Sequence, residues 1–179
     1  MSTQGHRNVR ALWGMAHDTG RFQCQMEPIV DNVSYAVETK ASPDLAWQVY
    51  SDWTLWPKFS HQYGEVIWTS GQPWEKGSRL RIEILRPVHV HVEHVITVCV
   101  PAKRVGWLDH GLGTTLEQWA FFERLSNGGT RVHTWAEFTG IAQVIAGKPI
   151  KRVIMDFIVS WYDKYRDECD RLEERARSS

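Results

Sequence analysis

The stretch VHVHVEHVITV, residues 88–98, places three histidines and a glutamate among valines. On a strand, alternate residues share a face. The even positions from Val88 to Val100 are apolar apart from His94, and the odd ones include His89, His91 and Glu93. The apolar set is expected to face a core, which leaves one imidazole, His94, in an oily wall. There it is either a hydrogen-bonded core residue or a group that binds a ligand or accepts a proton. His89, His91 and Glu93 then point together towards water. Imidazole and carboxylate are ligands for zinc or iron. However, alternate strand residues lie about 7 Å apart, so a second strand would have to complete a site. The expectation is a solvated face with cross-strand pairs and no metal. A bulge would exchange the two faces.

The same alternation finds further candidates. Asp109 shares a face with Val105 and Trp107, so it is either a carboxylate near a cavity or a strand-end group facing a loop. Gln118 lies with Leu116, Ala120 and Phe122, and Thr134 with Val132, Ala136 and Phe138. Gln118 is either an orienting amide or half of a buried cross-strand hydrogen bond. Trp119, Phe121 and Trp135 fall on the opposite face. They need a cover, from the N-terminal residues or from a second copy in a homodimer. No serine or cysteine nucleophile motif and no glycine-rich phosphate loop is present, so no cofactor is expected.

The elements that must position these groups are legible in outline. VSYAVET (33–39) alternates as a strand. ASPDLAWQVYSD then offers Ser42 as a helix cap, Pro43 at the first helical position and Asp44 beside the positive helix start. DWTLWPKF (52–59) suggests a second short helix capped by Asp52. Six strand-like runs follow, at 65–69, 78–85, 88–100, 104–109, 114–125 and 130–138. They are separated by SGQPWEKG, RP, PAK, GLG and SNGG, which suit chain reversals. From Pro149 the apolar residues Ile150, Val153, Ile154, Phe157, Ile158, Trp161, Tyr165 and Leu172 have helical spacing. Ile154, Phe157, Trp161 and Tyr165 are expected to face the sheet, and the terminal RLEERARSS to fray. An antiparallel sheet with one apolar face, covered by one long helix, is an α+β layer arrangement that leaves room for a cavity.

Bulk properties narrow the function. The 179 residues suit one domain, read as 32–176 after a loosely ordered extension, 1–31, with a short helix near Ala11–His17. Lys+Arg and Asp+Glu are each 21, so there is no basic surplus to recruit nucleic acid. No run is long and apolar enough to span a membrane, and no signal peptide is evident. Cys24, Cys99 and Cys169 are too few and too scattered for a disulfide framework, which suits the cytoplasm. The 10 tryptophans supply flat walls for an apolar ligand or a bulky core.

The order of elements, with VETKASPDLAWQVYSD (37–52), WP (56–57), GSRL (77–80), VPAKRVGW (100–107), GGTRV (128–132) and EFTG (137–140), resembles the SRPBCC superfamily. The resemblance implies the helix-grip fold of START domains, pollen-allergen-like proteins and aromatase/cyclases, with seven antiparallel strands curved around the terminal helix. Its nearest likeness is to the polyketide cyclase/dehydrase group. There the tyrosine after Trp-Pro lines the cavity, which points to Tyr63 in WPKFSHQY. The arginine that characterised aromatase/cyclases carry on a central strand has no clear counterpart here.

The candidate site is therefore His94, Tyr63 and Asp109 for catalysis, with Trp107, Gln118, Phe122, Thr134, Phe157 and Trp161 as ligand contacts. His94 would accept a proton and Tyr63 would donate a hydrogen bond to a developing enolate. The expected ligand is a hydrophobic small molecule, aromatic or polyketide-like, undergoing acid/base cyclisation or dehydration. The alternative is a carrier or sensor of a lipid or aromatic metabolite without chemistry.

Overall fold

A computed structural model describes residues 31–111 and 114–178. The strands are β1 Asp31–Thr39, β2 Tyr63–Ser70, β3 Arg79–Ile84, β4 Val90–Val100, β5 Arg104–Gly111, β6 Thr114–Arg124 and β7 Thr130–Gly140. They form one antiparallel sheet in the order β1-β7-β6-β5-β4-β3-β2. Helices α1 Pro43–Ser51 and α2 Trp56–Phe59 lie between β1 and β2, joined by a turn of 3-10 helix at Trp53–Leu55. Helix α3, Ile141–Ser178, ends the chain. The expected α+β arrangement is present. The expected N-terminal extension and its short helix lie outside the described residues, except that Asp31 already belongs to β1.

Helix α1 starts as its sequence dictates. The Ser42 hydroxyl accepts a hydrogen bond from the Leu45 N–H, Pro43 occupies the first turn, and Asp44 faces the helix start. Spacing of three and four residues then turns Ala46, Val49 and Tyr50 inwards. Asp52 accepts hydrogen bonds from the Thr54 N–H at 3.1 Å and its hydroxyl at 2.6 Å, and so starts the second turn.

Helix α3 is longer than predicted at both ends. It begins at Ile141 and passes through Pro149, which the sequence reading placed at the helix start. Ile141, Val144 and Ile145 continue the same helical spacing upstream. The terminal turns, expected to fray, remain helical to Ser178. Ion pairs Glu168–Arg171 and Glu173–Arg177 run along them, and Lys40 reaches Glu174 at 2.8 Å. Asp170 accepts from the Thr39 hydroxyl at 2.6 Å and the Lys40 N–H at 2.7 Å, fastening the end of β1 to α3.

Strand β4 departs from simple alternation close to the site, and β2 does so next to Tyr63, where the register shifts between Tyr63 and Val66. Ile96 pairs with Trp107 but Val98 pairs with Gly106, so the register slips around Thr97. Before the slip His94 and Ile96 face the core. After it the faces exchange. Cys99, opposite Val105, packs on the core in place of Val98 and Val100. At the other end Val88 is 62% and Val90 38% exposed, so the expected inner face does not extend to them.

The core lies between the sheet and α1–α3. Trp56, Tyr50, Tyr162 and Tyr165 are its largest fully buried side chains. The Tyr165 hydroxyl donates to the Ala46 carbonyl at 2.7 Å, tying α3 to α1. Cys169 is fully buried one turn further along α3, and burial pushes its thiol up to about 12. Native protein at pH 8 should therefore alkylate at Cys169 about a thousandfold more slowly than an exposed thiol. Mass-spectrometric labelling rates test this, and labelling of Cys169 at the exposed-thiol rate would contradict the packing.

Candidate functional site

The sheet register builds the site. His94 on β4 stands directly opposite Asp109 on β5, with Leu80 of β3 on its other side. Both are buried, at 8% and 4% exposure. His94 Nδ1 is in ion-pair contact with Asp109 Oδ1. The contact lies outside hydrogen-bond alignment, and Asp109 Oδ2 has no hydrogen-bond partner. The Trp107 ring lies 5.5 Å from the His94 ring. Two residues that sequence alternation put on inner faces thus meet as a buried pair.

Trp107 leads to a small hollow of about 30 Å³, lined by Tyr50, Trp56, Tyr63, Trp107, Gln118, Phe157, Ile158, Trp161 and Tyr162. That volume holds one or two waters. Aromatic rings occupy most of the expected space between sheet and helix. Tyr63 packs its ring 5.5 Å from Phe157 and 5.8 Å from Trp56. Burial pushes its phenol well above the ordinary range, with Tyr162 and then Asp109 reinforcing the shift. Tyr63 is therefore a neutral hydrogen-bond donor beside the hollow.

Polar atoms around this hollow lack aligned partners. They are Trp161 Nε1 and the hydroxyls of Tyr50 and Tyr162. The Tyr162 hydroxyl lies beside Thr134, Tyr50 and Gln118. Tyr50, Thr134 and Gln118 offer the Tyr162 hydroxyl hydrogen-bonding partners, so Trp161 Nε1 is the polar atom of this group with none nearby among the described residues.

The predicted residues divide. Tyr63, Trp107, Gln118, Phe157 and Trp161 line the hollow, and His94 and Asp109 abut it through Trp107. Thr134 does not reach the hollow, because its hydroxyl donates to the Trp119 carbonyl at 2.9 Å and accepts from Gln118 Nε2. Phe122 packs edge-on against Trp47 and Tyr50 at the α1 end instead. Sequence reasoning missed Tyr50, Trp56, Ile158 and Tyr162 as walls. Helical spacing carried the signal for two of them: Tyr50 is four residues after Ala46, and Tyr162 four after Ile158.

Of the group weighed as metal ligands, His89 lies 2.7 Å from Glu83, whereas Glu93 pairs with Arg79. His89 and Glu93 are thus turned to different partners on the exposed face. Trp119, Phe121 and His133 form a stacked ladder on that same face, with the Trp119 ring packed over the bare backbone of Gly106.

An antiparallel sheet of seven strands, packed against a long terminal helix and interrupted after its first strand by two short helices, is the helix-grip fold of the SRPBCC superfamily. The chain belongs to the family described as polyketide cyclase/dehydrase and lipid transport, which its residues 31–177 match. No curated protein matches the sequence. Among solved structures it is similar to the Zhui aromatase/cyclase from Streptomyces sp. R1128, at 15% identity and a TM-score of 0.67 over 80% of this chain and 95% of that one. Norcoclaurine synthase from Thalictrum flavum, in complex with dopamine and hydroxybenzaldehyde, gives 14% identity and a TM-score of 0.62 over 86% and 95%. A START superfamily protein from Mycobacterium smegmatis gives 13% identity and a TM-score of 0.67 over 79% and 98%. At these identities the likeness is one of fold.

Proposed function

We propose that the chain binds a hydrophobic small molecule, aromatic or polyketide-like, between sheet and α3, where the small hollow widens as its aromatic walls move aside, and that it performs acid/base cyclisation or dehydration on it. The observation that carries the reading is the buried His94–Asp109 pair set against Trp107, beside a hollow of aromatic walls. In this reading Asp109 holds the Nδ1 side of the imidazole, a small ring rotation making the contact a hydrogen bond. The other ring nitrogen is left to take a proton from carbon next to a carbonyl. Tyr63, neutral and buried, donates to the oxygen on which charge develops. The family's cyclases and the aromatic ligands of the norcoclaurine synthase structure support that ligand class.

A second reading, a carrier or sensor without chemistry, is favoured by the fact that His94 and Asp109 reach the hollow only through Trp107. A thermal-shift screen of lipids and aromatic polyketide mimics, followed by product analysis, separates the two. Catalysis predicts turnover lost by about 100-fold or more in His94→Ala and Tyr63→Phe while stabilisation by the ligand persists. Carriage predicts stabilisation with no product in any variant. Absence of both stabilisation and product across the screen would refute the ligand reading.

A further inference from the structure

A second, larger space lies outside the hollow. It is an open cleft of about 680 Å³ between the segment after α2, the β3–β4 turn and α3. Its apolar floor includes Phe157 and Val153, the latter 45% exposed. Phe157 is also a wall of the inner hollow, so its side chain borders both spaces.

The cleft's charges are unbalanced. Arg86, Lys164 and His61 line it, opposed by the single carboxylate of Asp156. All three basic residues are exposed. None of them makes an ion pair with another described residue. The unpaired cations Arg86 and Lys164 around an apolar floor, beside an aromatic hollow, complement a molecule with an oily body and a negative end.

We infer that this cleft receives the anionic end of an amphiphilic small molecule, a carboxylate or a phosphate, while its apolar body enters the hollow past Phe157. The inference rests on the ligand reading above and adds the charge and orientation of the ligand. Arg86 offers a planar fork that matches either anion, and Lys164 a mobile point charge. Phe157 must turn aside, because the hollow as it stands admits no more than one or two waters. Gln62 Nε2 donates to the Phe157 carbonyl at 3.3 Å, which keeps the backbone in place while the ring moves.

The test compares two fluorescent probes that differ by one charge: 8-anilinonaphthalene-1-sulfonate and the neutral N-phenyl-1-naphthylamine. Each is titrated into the full chain and into the double variant Arg86→Gln/Lys164→Gln, with circular dichroism as the check on folding. The expected result is a roughly tenfold weaker Kd for the sulfonate in the variant, and less than about a twofold change for the neutral probe. Sulfonate binding should also weaken as salt is raised. Laurate and lauryl phosphate should each compete with the sulfonate better than dodecanol does, and their order tells which anion is preferred. Equal affinities of the sulfonate for both proteins would overturn the inference while leaving the ligand reading intact if the neutral probe binds. So would equal competition by dodecanol. Failure of both probes and all competitors to bind would remove the ligand reading and this inference together.

Discussion

His94→Leu should destabilise the protein by about 3–5 kcal/mol, because it leaves the Asp109 carboxyl group in an apolar wall without the imidazole it faces. Asp109→Leu should cost less, since a neutral imidazole is cheaper to leave without a partner in an apolar wall than a carboxylate is. The double variant His94→Leu/Asp109→Leu should recover most of the loss, because two apolar side chains replace a pair whose burial is itself costly. Urea denaturation of the four proteins gives the coupling directly, and at least about 1.5 kcal/mol is expected. Additive losses would mean that the two groups do not act as a pair. A double variant that folds well but no longer turns over a ligand found in the screen would show that the pair is retained for chemistry rather than for stability.

Trp161→Ala should cost a further class of energy, about 3–5 kcal/mol, through packing rather than charge. Trp161 is 4% exposed. Its ring lies 4.8 Å from Tyr162, 5.4 Å from Tyr165, 5.5 Å from Trp56 and 5.6 Å from Tyr50. The parallel stack on Tyr165 holds consecutive turns of α3 together, and the edge contacts join α3 to α1 and α2. Truncation would merge the lost volume with the existing hollow. Trp161→Phe keeps a ring in the cluster and should cost less than half as much. Chemical denaturation measures both, and a loss below about 1 kcal/mol for the alanine variant would show that the rings around the hollow are not close-packed.

Much of this arrangement is written in local patterns. Ser42-Pro43-Asp44 announces α1 because a cap needs no distant partner. Alternation in β5 and β6 places Trp107, Asp109 and Gln118 inwards because strand geometry has a fixed period. The slip at Thr97 escaped because a bulge is set by how two strands pair, and neither strand alone records it. Pro149 misled for a related reason: a proline that suits a helix start can also lie inside a helix that continues on both sides. Alternation could not reveal that His94 and Asp109 meet, since that depends on the length of the β4–β5 turn and the register it sets. Nor could it show that Thr134 is already engaged by Trp119 and Gln118, which is a matter of cross-strand neighbours.

The strand order has a consequence for how the molecule is made. The first strand neighbours the last, so the sheet's β1 edge waits until β7 has emerged from the ribosome. Even then the greasy inner surface stays bare until the terminal helix arrives. Such a topology closes its longest loop late, which favours folding in milliseconds to seconds over microseconds. Throughout synthesis the nascent chain presents a half-built aromatic surface, and it is at that stage that a chaperone would have most to shield.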